Sequence, residues 1–256
     1  MFDLLILAVV QGIAEFLPIS SSGHLVIIGS MLGELSESPT LEIILHAGTL
    51  GSILLVFWRK ILRLLTEDRR VIGLLVVGTI PAATVGVGIK LMIPSLLRSP
   101  ILAGAMLLVT GVMLICLGRL REREGTYQGV SWWGAFWVGC FQAFAILPGV
   151  SRSGSTILGG RLMGLKAEDS VTFSFLLAIP AILGATVLTL RDWWEAYQSG
   201  LSSSHTAFEL LVGATVSFLV GIIALKWLIG WSREDRLHWF AAWCIPAGIA
   251  TLLLCS

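Results

Sequence analysis

The chain has 256 residues, of which Asp, Glu, Lys and Arg make up 13% and apolar types 56%, against about 25% charge in an ordinary soluble domain. So few charges cannot cover the surface a soluble globule of this size leaves to water, and uncovered apolar surface on that scale aggregates. A soluble enzyme and a disordered chain are both excluded, and lipid is the solvent for most of the surface. A net charge of +1 with no long basic run argues against a nucleic-acid partner. The four cysteines, Cys116, Cys140, Cys244 and Cys255, lie far apart in apolar runs. They read as small buried hydrophobes, not as a disulfide framework or a zinc site. The opening Met1-Phe2-Asp3 has no basic n-region, so a cleaved signal peptide is not expected.

In chain order, the first apolar stretch, 2–32, is broken at Leu17-Pro18-Ile19-Ser20-Ser21-Ser22-Gly23-His24. Proline removes a backbone donor and clashes with the preceding turn, and glycine opens conformations outside the helix. Spans follow at 41–58, 71–93 and 100–118, each close to the 20 or so apolar residues a crossing helix needs. A second broken stretch, 132–164, is interrupted at Leu147-Pro148-Gly149-Val150-Ser151-Arg152-Ser153-Gly154-Ser155. Three more spans follow at 170–190, 207–230 and 238–255. The arms of the broken stretches are too short to cross and suit re-entrant helix-loop-helix hairpins. Non-helical backbone survives at membrane depth only where protein buries it or it lines a wet cavity.

The loop charges choose between topologies. Arg59, Lys60, Arg63, Arg69 and Arg70 fall in 59–70, Arg119, Arg121 and Arg123 in 119–131, and Arg233 and Arg236 in 231–237. The other connections, 33–40, 94–99 and 191–206, hold only Arg98 and Arg191. If both hairpins return to the side they entered, all three basic loops share one face, which is cytoplasmic by the positive-inside rule. Two full spans in their place would set 59–70 opposite 231–237. The expected fold is therefore an all-α integral membrane protein, a single membrane domain of six transmembrane helices plus two re-entrant hairpins. The halves 1–118 and 132–255 then run in opposite directions as an inverted-topology repeat, an arrangement that points to a binding site where the two loops meet near the midplane.

The loops carry the chemistry. Gln11 and Glu15, four residues apart, share a helix face, and Ser20, Ser21, Ser22, Gly23 and His24 follow. The second loop offers Ser151, Arg152, Ser153, Gly154 and Thr156. Ionisable groups at membrane depth are costly and point to function, and Glu15, His24 and Arg152 stand in otherwise uncharged stretches. Blander readings exist. A lone glutamate also serves as structural partner to an arginine, serines in glycine-rich segments also let helices pack closely, and His46, in the middle of a span, reads equally as an interhelical hydrogen-bond donor. Two polar loops converging from opposite faces outweigh them. A planar guanidinium, hydroxyls, loop amides and helix N-termini suit an anion, phosphate or diphosphate. Glu15 and Gln11 fit such a site if Glu15 is an acid/base or if a hard cation with oxygen ligands, Mg2+ or Ca2+, links them to phosphate.

Gln11-Gly-Ile-Ala-Glu15-Phe-Leu-Pro-Ile-Ser20-Ser-Ser-Gly-His24 resembles the (E/Q)xxxE-plus-loop signature of the undecaprenyl-diphosphate phosphatase (bacitracin-resistance) family, with Gln11 where many members have Glu. Pro148-Gly-Val-Ser151-Arg152-Ser153-Gly-Ser-Thr156 is similar to that family's PGxSRSGxT motif, and the likeness covers essentially the whole chain. The resemblance implies a multi-pass hydrolase of the bacterial plasma membrane that converts undecaprenyl diphosphate to the monophosphate, recycling the lipid carrier of cell-wall synthesis and conferring bacitracin resistance. It also implies a divalent metal, Mg2+ or Ca2+, with Glu15 as its ligand, and a site opening to the extracytoplasmic side; a homodimer is left open. Catalysis would fall to Glu15, Ser21, His24 and Arg152. Gln11, Ser20, Ser22, Gly23, Ser151, Ser153, Gly154 and Thr156 would bind substrate. Ser21, His24 and a water all remain candidate nucleophiles, Ser21 being favoured with His24 or Glu15 as acid/base. The rival reading is a polyprenyl-phosphate flippase using the same anion cavity, which would need Arg152 and the helix termini but no nucleophile.

Overall fold

The computed structural model describes residues 1–32, 39–198 and 206–255, and among them the structure is helical. In chain order the helices are α1 (Phe2–Ala14), α2 (Ser21–Leu32), α3 (Pro39–Val56), α4 (Trp58–Thr66), α5 (Arg69–Met92), α6 (Pro100–Gly118), α7 (Trp132–Phe144), α8 (Arg152–Leu162), α9 (Ala167–Gln198), α10 (Ala207–Arg233) and α11 (Ala241–Cys255). Their starts follow from local chemistry. The side chains of Ser99, Ser131 and Ser151 accept from the amides of Leu102, Gly134 and Gly154, and Thr206 forms a capping box with Glu209, each satisfying amides that have no partner inside the helix. Both proline-containing loops stay non-helical, leaving the pairs α1–α2 and α7–α8 as short-armed hairpins.

Among the described residues, five helical stretches are long and apolar enough to cross a membrane: Arg69–Met92, Pro100–Gly118, Ala167–Val187, Ala207–Arg233 and Leu237–Cys255. The expected span at 41–58 is not one straight helix. It breaks at Phe57, and α4 leaves the axis of α3 at 70°; a sixth crossing exists only if this bent pair counts as one span. Phe57 there has φ −99° and ψ 12°, and its ring stacks on Phe175 with centroids 6.1 Å apart. Beyond the break the sequence turns amphipathic, with Arg59, Lys60 and Arg63 among Ile61, Leu62, Leu64 and Leu65, as suits a helix lying at an interface.

Packing interlocks the chain's two halves. α1 lies against α10 and α7 against α5, while α3 contacts both α9 and α10, α5 contacts α9, and α6 pairs with α11. Small residues allow the closest approaches. A Cβ on Gly48 would stand 2.5 Å from the Ala214 carbonyl oxygen, and one on Gly139 would collide with the Gly78 carbonyl. Ser52 Oγ donates to the Phe218 carbonyl at 2.8 Å and Ser217 Oγ to the Leu45 carbonyl at 2.8 Å, cross-linking α3 to α10. Phe16, Phe57, Leu114, Phe175 and Leu225 lie in one buried cluster. Outside it, Val76 and Ile80 on α5, Val112 on α6, Ile223 on α10 and Leu253 on α11 are exposed, which is the surface lipid covers.

The basic loops meet one another. Arg70 donates to the carbonyls of Gln128 and Val130, both at 2.7 Å, the amide of Tyr127 donates to Asp169 at 3.0 Å, and Arg233 pairs with Glu168 at 3.0 Å. Burial and the neighbouring Asp68 carboxylate push the Tyr127 phenol up to about 12, so it remains a donor to Asp68 through neutral pH.

The α5–α7 contact yields a stability prediction. Gly139→Ala places a methyl group against backbone that cannot step aside, and should cost about 1–3 kcal/mol, read as a lower midpoint of thermal aggregation in detergent. Gly88→Ala, where a Cβ meets nothing within 4 Å, should leave the midpoint unchanged or raised.

Candidate active site

The two loops touch. A Cβ on Gly23 would lie 2.7 Å from the Gly149 Cα, and one on Gly154 would lie 3.3 Å from the Pro18 Cβ. Gly23 is thus required by the close approach of its helix start to the other loop, and Gly154 leaves a tight fit against Pro18. Ser153 Oγ donates to the Leu17 carbonyl at 3.3 Å across the same junction. The loops also share a design. Ser20 Oγ accepts from the Gly23 amide at 3.2 Å and lies 3.4 Å from Ser22 Oγ. Ser151 Oγ accepts from the Gly154 amide at 3.1 Å and lies 3.2 Å from Ser153 Oγ. Ser20 takes φ 71° and Gly149 φ 94°; the serine conformation costs on the order of 1–3 kcal/mol, strain of the kind that gathers at working sites.

Between the paired serines stand Ser21 in one loop and Arg152 in the other, and both reach the same carboxylate. Ser21 Oγ donates to Glu15 Oε2 at 2.8 Å, and Arg152 Nη2 donates to Glu15 Oε1 at 2.6 Å. Gln11 Nε2 donates to Oε2 at 3.1 Å, and His46 Nε2 lies 3.8 Å from the same oxygen. The Glu15 side chain is 7% exposed and that of Arg152 17%. A lone charge so placed would be expensive, and the pair meets that cost mutually. Phe175 lies against the guanidinium, 5.6 Å from ring centroid to Cζ. Arg152 Nη1 and Gln11 Oε1 are buried without a hydrogen-bond partner, leaving one donor and one acceptor beside the carboxylate for something the protein does not supply.

The structure thus brings together Gln11, Glu15, Ser21 and Arg152, with His46, which the sequence left evenly balanced between an interhelical hydrogen-bond donor and a functional group, as a fifth member. His24 stands apart from the carboxylate: its Nδ1 lies 2.7 Å from the Ser20 carbonyl, and its Nε2 is 2.9 Å from Trp243 Nε1. Thr156 is buried, and its hydroxyl bonds to the Arg152 carbonyl at 2.8 Å and to Ser174 Oγ on α9. Its hydroxyl holds α8 in place. Ser22 is exposed at the start of α2.

Thr110 carried no sequence signal, being one hydroxyl within an apolar span. It lies on α6 with no exposed surface, donates to the Gly149 carbonyl at 2.7 Å and accepts from the Ser151 amide at 3.0 Å. That single side chain fixes the turn that delivers Arg152. Cys244 on α11 approaches the first loop in similar fashion, its Sγ 3.7 Å from the Pro18 carbonyl.

A family model described as "Bacitracin resistance protein BacA" matches residues 4–250. The chain belongs to the BacA family. Among its relatives, a Rhodopirellula baltica protein named undecaprenyl-diphosphatase is 72% identical over 97% of this chain and 96% of its own length. Proteins of the same name from Desulfatibacillum aliphaticivorans and Corynebacterium glutamicum are 38% and 34% identical, each over 98% of this chain and over 97% and 89% of their own lengths.

The loop clamp can be tested. Thr110→Val keeps shape but leaves the Gly149 carbonyl and the Ser151 amide without their partner, at about 1–3 kcal/mol for each group. The variant should melt well below wild type and lose activity, while Thr110→Ser should restore both; equal melting of all three proteins would remove Thr110 from this role.

Proposed function

We propose that this protein hydrolyses undecaprenyl diphosphate to undecaprenyl phosphate and inorganic phosphate, an integral membrane hydrolase that returns the lipid carrier to cell-wall synthesis and so protects against bacitracin. Family membership and the relatives' shared name support the activity. The observation that carries the chemistry is the hydrogen bond from Ser21 to Glu15: a flippase needs an anion cavity, but not a hydroxyl donating to a buried carboxylate.

In the reading this geometry favours, Arg152 Nη1 and the amides at the starts of α2 and α8 bind the terminal phosphate, whose negative oxygens suit a guanidinium and helix N-termini. Ser21 Oγ attacks the terminal phosphorus and gives its proton to Glu15. The bond from that phosphorus to the bridging oxygen breaks, and the prenyl monophosphate leaves. A water then attacks the phosphoserine, His24 Nε2 takes its proton, and Ser21 recovers a proton from Glu15 as the phosphorus–Oγ bond opens. His24 lies three residues after Ser21 on α2, a spacing at which side chains on a helix are neighbours. Phosphoryl transfer asks mainly for positioning and charge neutralisation, and the ion pair with its flanking loop amides provides both.

A hard divalent cation fits this donor set. Among the described residues no three His, Cys, Asp or Glu side chains form a metal-binding group. Mg2+ or Ca2+, however, takes carboxylate and amide oxygens and completes its shell with phosphate oxygens and water. Glu15 and the unpartnered Gln11 Oε1 would hold it, and it would supply further charge neutralisation on the diphosphate.

The inverted-topology repeat, six crossings with two re-entrant hairpins, belongs to the same proposal. It is supported by the matched serine caps, by the reciprocal contacts of Gly23 and Gly154, and by the placement of α1 on α10 and α7 on α5. The meeting of the basic loops supports a cytoplasmic face there, with α1–α2 entering from the extracytoplasmic side of the bacterial plasma membrane.

Two measurements test the proposal. Purified protein in detergent should release phosphate from a prenyl diphosphate, and release should fall on chelation. Ser21→Ala and Glu15→Gln should fall by roughly 10²- to 10⁴-fold, the scale of lost acid–base catalysis. Arg152→Lys should fail nearly as badly as Arg152→Ala, because Lys lacks the fork. Absent release, with lipid moved between leaflets, would favour the flippase. For orientation, single cysteines in a Cys-free background should react with an impermeant reagent from outside at 94–99, and only after permeabilisation at 59–70 and 119–131. External labelling of 119–131 would overturn the repeat.

A further inference from the structure

His24 makes two hydrogen bonds whose partners have fixed chemistry. The Ser20 carbonyl can only accept, so Nδ1, 2.7 Å away, carries the hydrogen. The indole of Trp243 can only donate, so Nε2, 2.9 Å from Trp243 Nε1, presents its lone pair. Together these contacts define one neutral tautomer. The two rings lie nearly parallel, 16° between planes with centroids 6.1 Å apart. Trp243 is 56% exposed, so its ring is not a core filler, and it sits one residue before Cys244, which itself touches the first loop. The second loop has no comparable partner: Ser155, in the place equivalent to His24, has a buried hydroxyl with no hydrogen-bond partner. The contact is therefore a property of the catalytic half of the junction.

We propose that Trp243 is a positioning residue for His24: its indole N–H holds the imidazole in the Nδ1–H form and keeps Nε2 as the proton-accepting nitrogen, aimed at the face where α2 meets α11. This rests on the role given above to His24 in hydrolysing the phosphoserine. Nε2 can accept a proton from water only from this tautomer, and the water must take the place of the indole N–H at that nitrogen. Trp243 thus stores the histidine in its reactive form and yields it when the phosphoserine is to be opened. Without the indole, the Ser20 carbonyl alone opposes the Nε2–H tautomer, in which the Nδ1 lone pair would face that carbonyl and the base would be lost.

The test uses full-length protein in detergent or nanodiscs with 15N-labelled histidine, the His24 resonances being assigned by their loss in His24→Gln. Wild type should give a pyridine-type Nε2 signal. Trp243→Phe keeps an aromatic ring but removes the donor; it should show a mixture of tautomers, an unchanged melting midpoint and a kcat lowered roughly tenfold or more, in the range found for partners that orient ligating histidines, with KM little altered. A His24→Gln, Trp243→Phe double variant should be no slower than His24→Gln alone. A single unchanged tautomer in Trp243→Phe, a normal kcat, or independent losses in the double variant would each overturn the inference. Wild-type protein that releases no phosphate would overturn the function itself; wild-type release with an unaltered Trp243→Phe variant overturns only the role of Trp243.

Discussion

The ion pair between Glu15 and Arg152 joins the two broken stretches, and the rest of the central architecture can be understood as what that bond requires. A buried carboxylate or guanidinium alone costs several kcal/mol, so each demands the other. Bringing them within 2.6 Å forces two helix starts and two non-helical loops into contact. Contact at that range admits no side chain at Gly23 and leaves little room at Gly154, and the loop backbone, denied water, needs Thr110, Ser20 and Ser151 to satisfy it. The polar investment is therefore a connected set. Removing one member leaves others buried and unpaired, which is why few of its residues could be exchanged singly.

The same bond shapes the chemistry. Glu15 offers Oε1 to arginine and Oε2 to Ser21, Gln11 and the vicinity of His46, so one side chain would organise both the anion clamp and the nucleophile of the proposed reaction. In the proposed reaction, a phosphate bound at the unpartnered Arg152 Nη1 would compete with Glu15 for the guanidinium and leave the carboxylate to the serine proton. Binding and activation would then be linked through a shared partner.

Much of this was legible in the sequence because the signals were discontinuities. Pro18 and Pro148 interrupt apolar stretches, and Glu15 and Arg152 are charges where charge is costly; such features stand out against a background of leucine and valine. The number of long spans followed from length and hydropathy, except at Phe57, where Arg59 and Lys60 mark the end of the apolar stretch but no proline or glycine marks the 70° bend. What stayed hidden was whatever looks ordinary in a one-dimensional reading. Thr110 and Trp243 are a hydroxyl and an indole among apolar neighbours, and only packing of α6 and α11 against the loops gives them partners. His24 was legible as a site residue, yet its position apart from the carboxylate depends on which way one helix turn faces, which spacing alone does not decide. Thr156 shows the converse: it sits inside the motif, but its hydroxyl is spent on holding α8 to α9.

The partners in the central ion pair are separated by 137 positions along the chain. A ribosome adding about 5–20 residues per second needs roughly 7–30 s to travel between them. Throughout that interval the growing protein holds a carboxylate destined for burial without the guanidinium that will pair with it. The first hairpin cannot settle at its final depth as it is made; Glu15 would have to wait protonated, or near the aqueous boundary, until the second hairpin arrives. Maturation of the site is thereby tied to completion of translation through α8, and a chain truncated or stalled before it keeps an acid whose partner never arrives.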